Sequence, residues 1–322
     1  MAQAALATLL QLEEHAGKSD ARVSPLLKYA AQHWVDHAQF EKVSSRVREG
    51  MDDLFDSSKP HFVAWLKVHD IDRSWESFTP SSYHGVSSPL YYASFCGFYE
   101  LAESLIMKHS EQVNGCGGRI LAPLPAALSN RHFRVANLLY RHGALVDIQD
   151  YYKCTPLYIA SCHGQVDIVR WLLNHGADAS SRSIYDYTPL SNAASAMQLE
   201  AVQVLLEHNA DVNSRNYKGG TPLYEACQRY CDPMSKGKVA DIVRRLLEHR
   251  ADPNICDNHH HSTPLHLASS RGFLEAARLL LSYGAKVDEK DKNGKTPFQL
   301  AASQGHDQIT KLLLEHGAVP RQ

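Results

Sequence analysis

The stretch Thr155 to Asp178, TPLYIASCHGQVDIVRWLLNHGAD, returns with variations seven times along this chain. Its prolines, Pro89, Pro123, Pro156, Pro189, Pro222, Pro264 and Pro297, lie 34, 33, 33, 33, 42 and 33 residues apart. A period of this length constrains the fold more than any composition does. Each unit is one supersecondary element, too small to bury its own apolar face, so neighbouring units must stack. Threonine before proline is a helix start: the hydroxyl caps the first turn, where the missing proline N–H costs nothing. Val166, Ile168, Val169, Leu172 and Leu173 then recur at helical spacing, which predicts an outer helix covering its own inner helix and its neighbour. Gly176 follows as a residue able to take positive φ after the helix end, with Gly143, Gly284 and Gly317 in the same place and Asn209 as a substitute.

A T-P-L-x-x-A signature at a period near 33 resembles the ankyrin-repeat family, from about Tyr83 to the C-terminus. The resemblance implies an all-α class: an ankyrin-repeat solenoid of helix-turn-helix units with β-hairpin tips, seven repeats over 83–322, forming one contiguous stack. A chain of 322 residues would ordinarily suggest about two domains, but a solenoid grows by stacking and has no single closed core.

Several repeats depart from the pattern. The second, APLPAALSNRHFRVANLL, has Ala122 at the cap and Arg131 where an inter-helix glycine is usual. Arg250 replaces the glycine after the fifth outer helix, at a cost of about 1 kcal/mol if the left-handed conformation is kept. The fifth repeat carries about eight extra residues in QRYCDPMSKGK, where Asp232, Pro233 and Gly237 predict a loop, and the sixth hairpin, DNHHHS, is longer by one.

Residues 1–82 read as a small helical cap or connector. Ala5, Leu6, Leu9, Leu10 and Leu12 lie at near-helical spacing, and Ser24-Pro25 opens a second helix with Leu27, Ala30, Ala31, Trp34 and Ala38 on one face. A third has Val47, Met51, Leu54 and Phe55 as its stripe, and a fourth is anchored by Phe62, Trp65 and Leu66; 70–88 is the junction. The segments YAAQHWVDHA and HFVAWLKVHDID, through Tyr29, Trp34, His37, His61, Phe62, Trp65, His69 and Asp70, resemble the connector before the ankyrin array of fungal NACHT–ankyrin proteins of the NOD-like (STAND) class. The chain has no G-x-x-x-x-G-K-[ST] phosphate loop; Gly294-Lys295-Thr296 has its ending, but Glu289 stands upstream where the glycine belongs.

Charge is balanced at −2 and no polybasic run exists, so neither nucleic acid nor an anionic membrane is expected as a partner. Seven cysteines without a paired framework fit a reducing compartment, and the N-terminus lacks the features of a signal peptide. The expected location is the cytoplasm, with the nucleus left open. Nineteen histidines invite a metal reading. His109, His142, His175, His208, His249 and His316, however, recur in the last turn of successive outer helices, where imidazole meets unpaired carbonyls. His259, His260 and His261, with Cys256, Cys227 and Cys231, form the one zinc-like set. Cys227 falls at a small buried position matched by Ser161 and Ser269, so no metal and no other cofactor is expected. No G-x-S-x-G, H-E-x-x-H or paired-carboxylate arrangement appears, and an enzyme is not expected.

By the resemblance, partners would meet the hairpin tips and the exposed side of the inner helices. The tips present Tyr151, Tyr152, Tyr185, Tyr187, Tyr217 and Lys218; the inner helices present Cys162, His163, Arg229 and Arg271. Five of 15 tyrosines on three adjacent tips is a concentration, and tyrosine supplies stiff amphipathic contact area. An aromatic centre with a cationic flank predicts a protein or peptide partner of acidic character. The expected function is non-enzymatic recognition, as the sensor part of a fungal NACHT–ankyrin protein. The alternative is a substrate adaptor in a ubiquitin-ligase or signalling complex.

Overall fold

The computed structural model describes Ala7, Leu9, His33, 48–56, Phe62, 88–115, 122–228 and 236–320. The chain falls into two compact units, Met1–Leu145 and Val146–Gln322.

In the first unit, α1 (Arg48–Leu54) precedes two helix pairs, α2 (Pro89–Cys96) with α3 (Tyr99–Lys108) and α4 (Pro123–Ser129) with α5 (Phe133–Arg141). Met51, Leu54, Phe55 and Phe62 are buried. The Phe55 ring lies 5.6 Å from Phe62 and meets Phe98 edge-on at 6.4 Å; Phe62 meets Tyr92 edge-on at 5.7 Å. The described aromatics of the N-terminal segment therefore pack on the first repeat. Leu9 is buried too; the rest of the first two expected helices, Trp65, Leu66 and most of the junction lie outside the described residues.

The second unit holds five pairs. The inner helices are α6 (Pro156–Cys162), α8 (Pro189–Ser195), α10 (Pro222–Gln228), α12 (Pro264–Arg271) and α14 (Pro297–Ser303). Their outer partners are α7 (Val166–Asn174), α9 (Leu199–Glu207), α11 (Lys236–Glu248), α13 (Leu274–Ser282) and α15 (Asp307–Glu315). Each inner helix packs on the next inner helix and on its own outer helix, which buries Leu157, Leu190, Leu223, Leu265, Leu172, Leu205, Leu246 and Leu280 completely. Among the described residues no strand occurs.

The local chemistry follows the sequence. Thr155, Thr188, Thr221 and Thr296 accept the N–H three residues on at 3.3, 3.2, 3.3 and 3.4 Å, as Ser88 does at 3.2 Å, whereas Ala122 offers no cap. Arg131 and Arg250 keep the left-handed backbone of the glycines they replace, at φ 61° and 68°. After the outer helices a Cβ built on Gly143, Gly176, Gly284 or Gly317 meets nothing within 4 Å; open space of this kind leaves a non-glycine only the backbone cost. His175, His249 and His316 turn Nδ1 to the carbonyl four residues back, at 2.6, 2.9 and 2.9 Å.

The inserted loop ends earlier than expected. Gly237, assigned to the inserted loop, lies in the first turn of α11, which runs 13 residues against nine in the other outer helices of this unit. The buried face of Val239, Ile242 and Val243 anchors that helix, and the turn before it extends outward at the modest cost glycine exacts in a helix. Residues 229–235, with Arg229, Cys231, Asp232 and Pro233, lie outside the described residues.

Candidate functional site

The tips of the second unit share one construction. Each opens on a short polar residue, Asp150, Ser183, Asn216, Asp257 or Asp291, whose N–H donates to the carbonyl closing the turn: Cys154, Tyr187, Gly220, Ser262 and Lys295, at 2.9 to 3.1 Å. The opening side chain accepts amides from inside the turn, as Asx turns do. Asp150 Oδ1 takes the N–H of Tyr152 at 2.8 Å and of Cys154 at 2.7 Å. Asp291 does the same for Asn293 and Lys295, at 2.9 and 2.8 Å. Asp257 accepts three, from His259, His260 and Ser262, and so closes the longer sixth tip. The residue before the last is left-handed in all five: Lys153 at 56°, Asp186 at 58°, Gly219 at 81°, His261 at 51° and Gly294 at 74°.

Neighbouring tips are joined by backbone. Ile184 N–H donates to Tyr152 O (2.9 Å), Tyr217 to Tyr185 (3.2 Å), Asn258 to Lys218 (2.7 Å) and Lys292 to His260 (2.8 Å). The backbone bonds inside each tip close a turn, and the single backbone bond between neighbouring tips is too little for a strand ladder, so the expected β-hairpins close as turns. The bonds set a register in which Tyr151, Ile184, Tyr217, Asn258 and Lys292 form one outward column and Tyr152, Tyr185 and Lys218 begin a second.

The first three tips carry an aromatic patch. Tyr151 is 81% exposed, Tyr152 54%, Tyr185 52%, Tyr217 47% and Ile184 42%. Tyr151 and Tyr152 meet edge-on at 5.2 Å, Tyr185 and Tyr217 lie 5.5 Å apart, and Lys218 Nζ sits 5.3 Å over the Tyr217 ring, within cation–π range. Asp150 and Asp291 are half-buried and Asp257 is buried, whereas Lys153, Lys218, Lys292, Lys295 and Asp186 are the exposed charged side chains of the tips.

The other anticipated residues are placed differently. His163 is exposed, with Nδ1 on Ile159 O at 2.9 Å. Cys162 is half-buried, and its carbonyl accepts Gln198 Nε2 at 3.2 Å. Arg271 is half-buried near Tyr224. Tyr187 is half-buried, its hydroxyl donating to Glu225 Oε1 at 3.4 Å; burial and the Glu225 charge push its phenol up, out of the usual range. Tyr158, half-buried on α6, is pushed up to about 12, chiefly by burial. Sequence reasoning passed over Ile184 and Ile159, which are exposed; aligning the tips on Asp150, Ser183 and Asn216 places Ile184 level with Tyr151 and Tyr217. It also passed over buried Glu225. Among the described residues no group of three or more His, Cys, Asp or Glu is placed to hold a metal ion, and no helix is long and apolar enough to cross a membrane.

Two family models match the repeats. One described as Ankyrin repeats (3 copies) matches 90–183 and 233–322, and one described as Ankyrin repeats (many copies) matches 190–229. The chain belongs to the ankyrin-repeat family. Ankyrin repeats are protein–protein interaction modules. The array is similar to an azaphilone pigments biosynthesis cluster protein L of Monascus ruber, 29% identical over 131 residues, 37% of this chain and 28% of that protein. It is also similar to the potassium channels GORK and SKOR of Arabidopsis thaliana, 39% and 42% identical over 64 residues, 20% of this chain and 8% of each channel. The chain thus spans less than a third of the length of each of these relatives.

Proposed function

We propose that this protein is a non-enzymatic recognition module whose tip row, from Tyr151 to Lys295, takes a protein or peptide of acidic character. The observation that carries the reading is the patch of Tyr151, Tyr152, Ile184, Tyr185 and Tyr217 on adjacent tips, all exposed. Rigid aromatic side chains are the usual anchors of interfaces. The lysines that continue the row favour carboxylates, and the near-neutral net charge gives no general pull toward nucleic acid or anionic lipid. A helical cap, 1–82, precedes seven repeats, 83–322, and the protein works in the cytoplasm.

Affinity capture with the wild-type chain and a Tyr151/Tyr152/Tyr185→Ala variant tests this. Partners retained by the wild type and lost by the variant are expected, with retention falling as salt rises. An unchanged partner set overturns the tyrosine surface; salt-independent capture overturns the acidic partner.

Within that class we assign the chain to the sensing part of a fungal NACHT–ankyrin protein, in which ligand engagement regulates assembly. The support is the N-terminal pattern Tyr29, Trp34, His37, His61, Phe62, Trp65, His69 and Asp70. An in-frame NACHT coding region upstream of the Met1 codon is the expected finding; a transcript that begins at Met1 favours the adaptor alternative instead.

A further inference from the structure

Beneath the tyrosine tips lies a carboxylate. Glu225 on α10 is 3% exposed, whereas the matching residues of the other inner helices in this unit, Ile159, Asn192, Leu267 and Leu300, are exposed or half-buried. Its Oε1 accepts Asn216 Nδ2 at 2.7 Å and the Tyr187 hydroxyl at 3.4 Å. The backbone leaves room for it, since a Cβ built on Gly220 would stand 2.7 Å from that oxygen. Asn216 Oδ1 meanwhile accepts the N–H groups of Lys218 at 3.0 Å and Gly220 at 2.9 Å. One buried carboxylate is thus linked through Asn216 to the turn that carries Tyr217 and Lys218. Through Tyr187 it is linked to the tip that carries Tyr185.

The residue types match this arrangement. Tips that open on Asp150, Asp257 and Asp291 need only an acceptor. The fifth tip must accept two amides and also donate to a carboxylate, and an amide side chain does both. Burying a charge is costly unless it is well partnered, and burial raises the Glu225 carboxyl above its ordinary range while Asn216, Tyr187 and Lys218 oppose the shift. Stacking at this position is served by the apolar Ile159, Leu267 and Leu300 and by the neutral Asn192, whose Nδ2 donates to Tyr158 O at 3.3 Å; among these inner helices Glu225 alone brings a carboxyl group.

We propose that Glu225 is the positioning residue of the aromatic patch: acting through Asn216 and Tyr187, it sets the spacing and tilt at which Tyr185 and Tyr217 meet a partner. This rests on reading the tip row as the binding surface.

A charge-exchange cycle tests it on the full chain: wild type, Asn216→Asp, Glu225→Gln and the double variant. Amide exchange at Lys218 and Gly220 is measured alongside binding of a synthetic glutamate–tyrosine copolymer. Asn216→Asp removes the donor and sets two carboxyl groups against each other; at mildly alkaline pH, where they do not share a proton, both amides should exchange about tenfold faster or more, with copolymer binding weakened in parallel. Aspartate serves this turn unaided at Asp150 and Asp291, so a role confined to the turn predicts no change. Glu225→Gln should stay near wild type because an acceptor oxygen remains. The double variant should recover both readouts, its glutamine donating to the new carboxylate.

Unchanged amides in Asn216→Asp, or a double variant that fails to recover, overturns the link. Exchange that follows the cycle without binding following it overturns the positioning role. If Asn216→Asp does not fold, the double variant must still fold, and its failure to do so overturns the proposal. A Tyr185/Tyr217→Ala variant that binds the copolymer as well as wild type sinks the tip-row reading instead, while the exchange cycle still decides the Glu225 link.

Discussion

Ser161, Cys227 and Ser269 occupy one buried position on the inner helices α6, α10 and α12 and are all 0% exposed. The Ser161 and Ser269 hydroxyls have no hydrogen-bond partner, whereas Ser94 in the first repeat donates its hydroxyl to Leu90 O at 2.7 Å. An unpaired buried hydroxyl is a net cost, and Cys227 with Ala194 shows that the position accepts small apolar side chains. Ser161→Ala and Ser269→Ala should each stabilise the array by about 1 kcal/mol, read as a higher urea midpoint with an unchanged slope. Ser94→Ala should show no such gain. Position alone does not predict this contrast; it depends on whether each hydroxyl finds the carbonyl behind it.

Between elements, the loops after the outer helices are tied by single side chains. Asn114, Asn213 and Asn254 each donate Nδ2 to a carbonyl of the next loop and accept an N–H from it. Asp147 and Asp288 hold the corresponding sites and only accept, from Asp178 N–H and Val319 N–H. A carboxylate cannot donate, and burial together with the Asp178 charge pushes Asp147 above its ordinary range. Asp147→Asn and Asp288→Asn should therefore stabilise, by about 0.5–1.5 kcal/mol each. The Asp147→Asn gain should shrink on acidification, as the wild-type carboxyl takes up its proton; thermal melts across the acid range measure it. The tips show the same logic at element level. Their register follows from aligning Asp150, Ser183, Asn216, Asp257 and Asp291, so the outward columns were legible in the sequence once the turn was understood.

At the scale of the molecule, buried imidazoles and buried carboxylates pull stability in opposite directions as pH falls. His266 is fully buried. Thr263 N–H donates to its Nδ1 at 3.2 Å, and its Nε2 faces Lys295 O at 3.2 Å. These partners suit the neutral ring with the proton on Nε2, and burial holds the imidazole below its ordinary 6.5. His132 is lowered for the same reason. A lowered imidazole means that the unfolded chain takes up a proton which the folded chain refuses, so stability falls as pH drops below about 6.5. Glu225 and Asp147 are raised by burial and contribute the reverse. His266→Gln keeps an acceptor for the threonine N–H, as Gln299 does for Thr296 at 3.0 Å. It should cut the loss of melting temperature between neutral pH and about pH 5; a loss as large as in wild type would show that His266 is not the source.

The period, the caps and the apolar spacing determined the repeat fold from the sequence alone, because each depends on neighbours a few residues away and recurs until chance is excluded. Even the left-handed Arg250 was legible, since its column elsewhere holds Gly143, Gly176, Gly284 and Gly317. Tertiary structure decided what the repeat leaves free. Tyr187 and Tyr185 lie two residues apart on one tip, yet one hydroxyl turns inward to Glu225 while the other ring stands in solvent. That difference comes from a carboxylate 38 residues away in sequence, and no local pattern carries it.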